Sequence, residues 1–280
     1  MSNPRSERVR TVRRLAERPA RRRSGTFLAE GPQAVREAVA VGPGGPGAVR
    51  EVYATEAAAQ RHGEILEDAR ALGVPVRLCA EDVLAAMADT RTPQGLLAVC
   101  ALVGADLADV LDPGPPALVA VLASVRDPGN AGTVIRAADA AGAGAVLLSA
   151  GSVDVHNPKC VRSTAGSLFH LDIVEEVELA AALGALRDAG LAVLAADGDP
   201  SPATADLDDL LDDAAAGSGP LAGPAAWVFG NEAHGLSAAE RDLADLAVRV
   251  PLHGRAESLN LATAAAVCLY ASARGQRRRG

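Results

Sequence analysis

Apolar positions along the 280 residues fall into short runs separated by longer stretches with helical spacing. In the first third, "TFLAEGPQAVREAVAVG" reads as a short strand turning into an amphipathic helix. "AVREVYAT", "VPVRLCA" and "QGLLAVCALV" read as strands, and "EILEDARALG" as a helix closed by Gly73. The alternation resumes later with strand-like "ALVAVLASV", "AGAVLLSA", "LAVLAADG", "AAWVFGNE" and "VRVPLH". Between and after these come helix-like "NAGTVIRAADAAG", "LAAALGALRDAG", "AAERDLADLA" and "SLNLATAAAVCLYASARG". Strands that are apolar throughout and alternate with helices predict an α/β chain whose sheet is mostly parallel and covered on both faces. The stretch "VGADLADVLDPGPPA", rich in Asp, Gly and Pro, predicts a break between domains. The expected organisation is a smaller α/β domain over 1–105 opening on a basic tail at 1–23, a linker at 106–116, a larger parallel-sheet domain over 117–275 and a basic tail at 276–280.

Composition supports two cores: 49% of residues are hydrophobic and 22% charged. The longest apolar run, 259–273, is broken by Asn260, Thr263 and Ser272, so no membrane span is expected. No apolar segment follows the Arg-rich opening as a secretory leader would require, and a cytoplasmic location is expected. Cys79, Cys100, Cys160 and Cys268 lie far apart without a C-x-x-C pair, which predicts buried thiols and no metal site. The net charge of −8 is unevenly spread, with nine arginines between residues 5 and 23, four between 274 and 279, and acids gathered in "ADLDDLLDDAA". The basic ends read either as solvated tails or as a footprint for a polyanion.

Ligands of parallel sheets gather outside the carboxyl ends of the strands, and three loops there hold unusual polar residues. "PGNAGTVIR" carries Asn130, Gly132 and Arg136 but lacks G-x-G-x-x-G, which argues against a nicotinamide-dependent enzyme. "VFGNEAHGLS" ends a strand at Gly230 and presents Asn231 and Glu232, the latter also readable as an ordinary loop acid. In "VPLHGRAESLNLATAAA", Ser258 sits where a helix cap is wanted, whereas Asn260 enters a Leu- and Ala-rich helix and would be costly there without a partner. "GPGGPG" lacks the G-K-[ST] ending of a phosphate loop.

Together these segments resemble the ordered motifs of the SPOUT superfamily, in its SpoU (TrmH-like) branch of RNA ribose 2'-O-methyltransferases. The match runs N-x-G-x-x-x-R at Asn130, Gly132 and Arg136, then G-N-E-x-x-G-L at Gly230, Asn231, Glu232, Gly235 and Leu236. It ends on P-x-x-G-x-x-x-S-L-N at Pro251, Gly254, Ser258, Leu259 and Asn260. "NPKCVRSTAGSLFHLDIV" is similar to the family's segment between the first and second motifs, and "RRSGTFLAEGPQAVREAV" to the N-terminal substrate-binding domain of one subgroup.

The resemblance implies a SPOUT domain with a deep trefoil knot, preceded by a smaller L30e-like α/β domain that binds RNA. It implies S-adenosylmethionine as cofactor, lying along Gly230, Val250 and Leu259, and a homodimer in which Arg136 of one subunit approaches the other's pocket. RNA is the implied partner, with 23S rRNA the expected substrate and tRNA, or a catalytically silent ribosome-assembly role, the alternatives. Asn130, Arg136, Glu232, Ser258 and Asn260 should line the reaction centre. Family accounts make the arginine a base, but guanidinium resists deprotonation, so gripping a phosphate and orienting the hydroxyl suits Arg136 better. His234 and His253 lie inside motifs whose match does not need them. Arg91, Gln94, Lys159 and Arg162 are candidates for RNA contact, or plain surface residues. With 2% aromatic residues, recognition should rest on phosphates and RNA shape more than on stacking.

Overall fold

The computed structural model describes residues 1–45, 47–198, 201 and 203–277. They divide into two units, Met1–Gly104 with Asp154–His170, and Ala105–Val153 with the chain from Leu171 onward. In the first unit, β1 (Thr26–Glu30), β2 (Val49–Ala54), β3 (Val76–Leu78) and β4 (Leu96–Ala101) form a sheet of order β1-β4-β2-β3. β4 runs antiparallel to both neighbours, and β2 pairs with β3 in parallel.

The Arg-rich opening, expected as a tail, is folded. Ser6 caps the Glu7–Arg13 helix, and Val9, Val12 and Leu15 are buried in a core with Leu28, Tyr53, Leu84 and Leu97. Arg21 is buried as well. It donates to the carbonyls of Leu15 and Ala16 at 2.9 and 2.7 Å, and to Asp154 Oδ2 at 2.6 Å. Burial alone would raise the Asp154 carboxyl, but hydrogen bonds from His156 and Arg21 outweigh it and hold the group well below the usual carboxylate range. The His156 ring also packs edge-on against Phe27 at 5.0 Å, and its Nε2 accepts from the Val103 N–H at 3.1 Å. Phe169 stacks on Phe27 at 5.9 Å. These contacts fix Asp154–His170 to the first unit although it lies far along the sequence.

The second unit holds β5 (Leu118–Leu122), β6 (Ala145–Ser149), β7 (Asp172–Val177), β8 (Ala192–Ala196), β9 (Thr204–Asp206), β10 (Ala225–Phe229) and β11 (Leu246–Arg249). Among the described residues the sheet has seven strands in the order β7-β6-β5-β10-β8-β11-β9, and every pair is parallel. β5, β6 and β10 are buried along their whole length, as the apolar runs predict. The stretch expected as a linker contains the helix Leu107–Leu111, whose Val110 is buried in this unit's core. The acidic stretch is an amphipathic helix, Leu207–Ala215, that buries Leu207, Leu210 and Ala214. "AAERDLADLA" yields only the one-turn helix Ala238–Arg241, closed by a Ser237–Glu240 capping box, and β11 begins within what reads as helix. The helix Leu261–Arg277 packs on Pro128–Ala141, and its buried Ser272 accepts the Trp227 indole N–H at 2.9 Å. Residues 276 and 277, read as tail, complete this helix, while 278–280 lie outside the described residues. All four cysteines are buried and none is in a disulfide.

Candidate active site

Two of the three loops are locked to one another at the carboxyl ends of β5 and β10. After β5 the chain turns at Ser124, whose N–H donates to Ser149 Oγ at the end of β6 (2.9 Å). Asp127 then caps the helix Pro128–Ala141, accepting from the Asn130 N–H at 2.8 Å, with Pro128 in the first turn. After β10, Asn231 and Gly235 close a tight turn through paired backbone bonds. A Cβ at Gly230 would collide with the backbone of Gly235 and Leu236, so only glycine allows the turn to fold back there. Asn231 Nδ2 donates to the Ser124 carbonyl at 2.8 Å, tying the second loop to the first.

Glu232 completes that tie. Its Oε1 accepts from the Asp127 N–H at 3.0 Å and from Asn130 Nδ2 at 3.3 Å, and its Oε2 from the Arg126 N–H at 3.3 Å. Asn130 Oδ1 accepts in turn from Asn260 Nδ2 at 3.1 Å. Asn260 stands just ahead of Leu261–Arg277, and its Oδ1 accepts from the N–H groups of Ala262 and Thr263 at 2.9 and 3.4 Å. The expected assignment is therefore corrected: Asn260 is the helix cap, exposed and partnered, and Ser258 lies exposed in the loop before it. Asn130 thus joins Glu232 and Asn260, each more than a hundred residues further along the sequence, in one hydrogen-bonded chain. An open cleft of about 640 Å³ beside them is lined by Ser124, Arg126, Asp127, Asn130, Asn231 and Glu232 among others.

Arg136 is not gathered into that chain. It lies ~240° around the helix axis from Asn130, is exposed, and makes no hydrogen bond or ion pair among the described residues. Gly230 follows β10, Val250 follows β11, and half-buried Leu259 precedes the last helix. Of the candidates in the first unit, Arg91 and Lys159 are exposed, Gln94 lies over Gly31, and Arg162 is held by Glu30 at 3.5 Å and Asp89 at 3.0 Å. Sequence reasoning missed Asp127 and Ser149 as supports of the site. The Asp-Pro pair at 127–128 is a helix-start signal that could have found the first.

The parallel sheet and its joined loops match methyltransferase structures of the SPOUT type. Residues 117–270 match the SpoU rRNA Methylase family, and residues 6–98 an MRM3-like substrate binding domain. The chain is 34% identical over 270 residues to the 23S rRNA (guanosine(2553)-2'-O)-methyltransferase RlmP of Bacillus subtilis, covering 96% of this chain and 97% of that protein. Its structure is similar to the AdoMet-bound rRNA methyltransferase of Sinorhizobium meliloti, with TM-score 0.81, 27% identity and coverage of 98% and 97% of the two chains. It is also similar to the SpoU methyltransferase AviRb of Streptomyces viridochromogenes in complex with AdoMet, with TM-score 0.78, 31% identity and coverage of 98% and 100%. The chain belongs to the SpoU rRNA methylase family.

Proposed function

We propose that this chain methylates a ribose 2'-hydroxyl in structured RNA, with 23S rRNA as the substrate and tRNA as the alternative. The observation that carries the proposal is the hydrogen-bonded chain Glu232–Asn130–Asn260, which joins all three motifs at one end of the sheet. S-adenosylmethionine supplies a sulfonium-activated methyl group when bound. The residues present suit it: among the described residues, the backbone of 250–259 makes no hydrogen bond to other backbone, leaving N–H and C=O groups free to hold a polar ligand near Val250 and Leu259.

The protein's own task is to place the 2'-hydroxyl and accept its proton. Arg136, exposed and unpartnered, grips the adjacent phosphate and orients the hydroxyl. Three of the lone-pair sites on Glu232 are already committed to Arg126, Asp127 and Asn130, so its main work is to hold the first loop, and the proton leaves through phosphate or water. Ser258 supports the loop that carries Leu259.

Several features support the rest of the proposal. β10 lies between β5 and β8, β11 lies beyond β8, and the last helix packs back on Pro128–Ala141, an order consistent with a trefoil knot. Thr263, Val267, Tyr270 and Arg274 form an outward stripe on that helix, with Val267 39% and Tyr270 53% exposed, which suits a twofold homodimer that brings Arg136 to the partner's pocket. No helix among the described residues is long and apolar enough to cross a membrane, and we place the protein in the cytoplasm with its RNA.

Charge assigns RNA capture to the first unit. Its two segments hold 17 Lys and Arg against 13 Asp and Glu, a net +4, whereas the rest of the chain holds 10 against 22, a net −12. Arg10, Arg13 and Arg14 are exposed on the opening helices, and their guanidiniums have no partner among the described residues. Replacing all three by Ala should weaken RNA binding and flatten the slope of log K against log salt by about two to three. Cofactor binding should be unchanged.

The test of function is methyl transfer from labelled S-adenosylmethionine to 23S rRNA or tRNA from cells lacking the gene, with the 2'-O-methyl positions mapped. One labelled position in 23S rRNA is the expected result. Label confined to tRNA moves the substrate to the alternative, and cofactor binding without transfer to any RNA rejects the enzyme.

A further inference from the structure

We infer that a cleft in the first unit, beside the loop leading into β4, reads an unpaired nucleobase of the RNA; the inference rests on the function proposed above. The cleft measures about 360 Å³, and its polar lining includes Glu30, Gln33, Thr90, Thr92, Gln94 and Arg162. That is the size of a site for one small planar group.

The loop is built to hold a fixed shape. The Glu30 carboxylate, 5% exposed, accepts from the N–H groups of Asp89 and Thr90 at 2.9 and 3.3 Å. At the other end the Gly95 carbonyl accepts from the Thr55 N–H at 2.9 Å. Gly95 has φ +84°, and a Cβ there would lie 2.6 Å from that of Ala58. Gly31, at φ +91°, likewise leaves room that Gln94 uses, since a Cβ would meet its Oε1 at 2.8 Å.

The chemistry of the lining selects a base over a phosphate. Arg162, the cation in the wall, is held against two carboxylates, Glu30 and Asp89, so the local charge is net negative and disfavours a phosphate. The lining side chains left unpartnered among the described residues are the Gln33 and Gln94 amides and the Thr90 and Thr92 hydroxyls. Each offers both a donor and an acceptor, the pattern that matches a base edge, and unpaired RNA bases are read on such edges. Phosphate binding has its own place on Arg10, Arg13 and Arg14. Across the same loop a second cleft of about 510 Å³ shares Pro93 and Gln94 and adds Arg61 and His62, which suit the adjoining backbone.

Binding of the full chain to fluorescein-labelled RNA oligomers of A, C and U, equal in length, tests this directly. The native protein should separate the three by about tenfold or more, as a two-point base contact gives. Gln33→Ala with Gln94→Ala should shrink the spread to about threefold or less while leaving the salt slope unaltered, because no phosphate contact is lost. Both side chains are exposed, so the double variant keeps the fold, which a thermal melt verifies. Equal affinities in the native chain, or an undiminished spread in the double variant, would overturn the base-reading cleft alone. Failure to bind any oligomer at low salt, with no methyl transfer to 23S rRNA, would overturn the RNA function with it.

Discussion

Arg136→Lys is expected to transfer methyl groups about 100-fold more slowly than the native chain, as misplaced reactants do, while binding S-adenosylmethionine normally and RNA nearly so. Lysine keeps the charge but loses the planar fork that lets guanidinium hold a phosphate at two points. The prediction is exposed to failure because Arg136 has no partner among the described residues to explain its presence. Nothing in the fold should suffer from the change, and a lost rate is then a lost contact with substrate. Near-normal turnover in single-turnover assays would reject the two-point grip.

The same residue tests whether two subunits share an active site. If Arg136 serves the partner's pocket, mixing Arg136→Ala with Asn260→Ala should recover part of the activity, since in a mixed dimer one composite site carries both lesions and the other neither. Subunit exchange must be verified separately, for instance with two affinity tags. No recovery in confirmed mixed dimers places Arg136 in its own subunit's pocket.

How much of this was legible in the sequence differs by element. The strands of the second unit read clearly because both faces are buried, so apolar runs such as "ALVAVL" needed no partner to be recognised. The opening helices did not, because Val9, Val12 and Leu15 are diluted among arginines and the pattern reads as charge. Nor did the placement of Asp154–His170, which depends on Phe27 and Arg21 more than a hundred residues away and is invisible to local periodicity. That placement also changes an experiment. Removing residues 1–105 would strip the partners from buried Val155, Cys160, Val161 and Leu168, so substitutions on the intact chain test the first unit more cleanly. At the site, the three motifs were visible as residue types, but the division of labour was not. Ser258 looks like the cap because Ser favours caps, yet the helix begins at Leu261 and Asn260 takes the position.

The second large effect concerns Glu232, where shape and charge can be separated. Glu232→Gln keeps the side chain's length but turns one oxygen into an NH2 group. Whichever way that amide faces, an N–H of Arg126, or those of Asp127 and Asn130, meets a donor instead of an acceptor. The loop at Arg126 and Asp127 that leads into the helix carrying Asn130 should loosen, and the bond of Asn130 to Asn260 with it. Methyl transfer is expected to fall about 100-fold, as a small misplacement of reacting groups costs. The pH dependence decides why. If Glu232 only positions the loop, the residual rate of the variant should keep the native pH profile, because the proton acceptor is untouched. If Glu232 takes the proton itself, the ascending acid limb should vanish along with the activity. A variant that retains both its rate and its profile would show that the bonds of Glu232 to the first loop are dispensable for transfer.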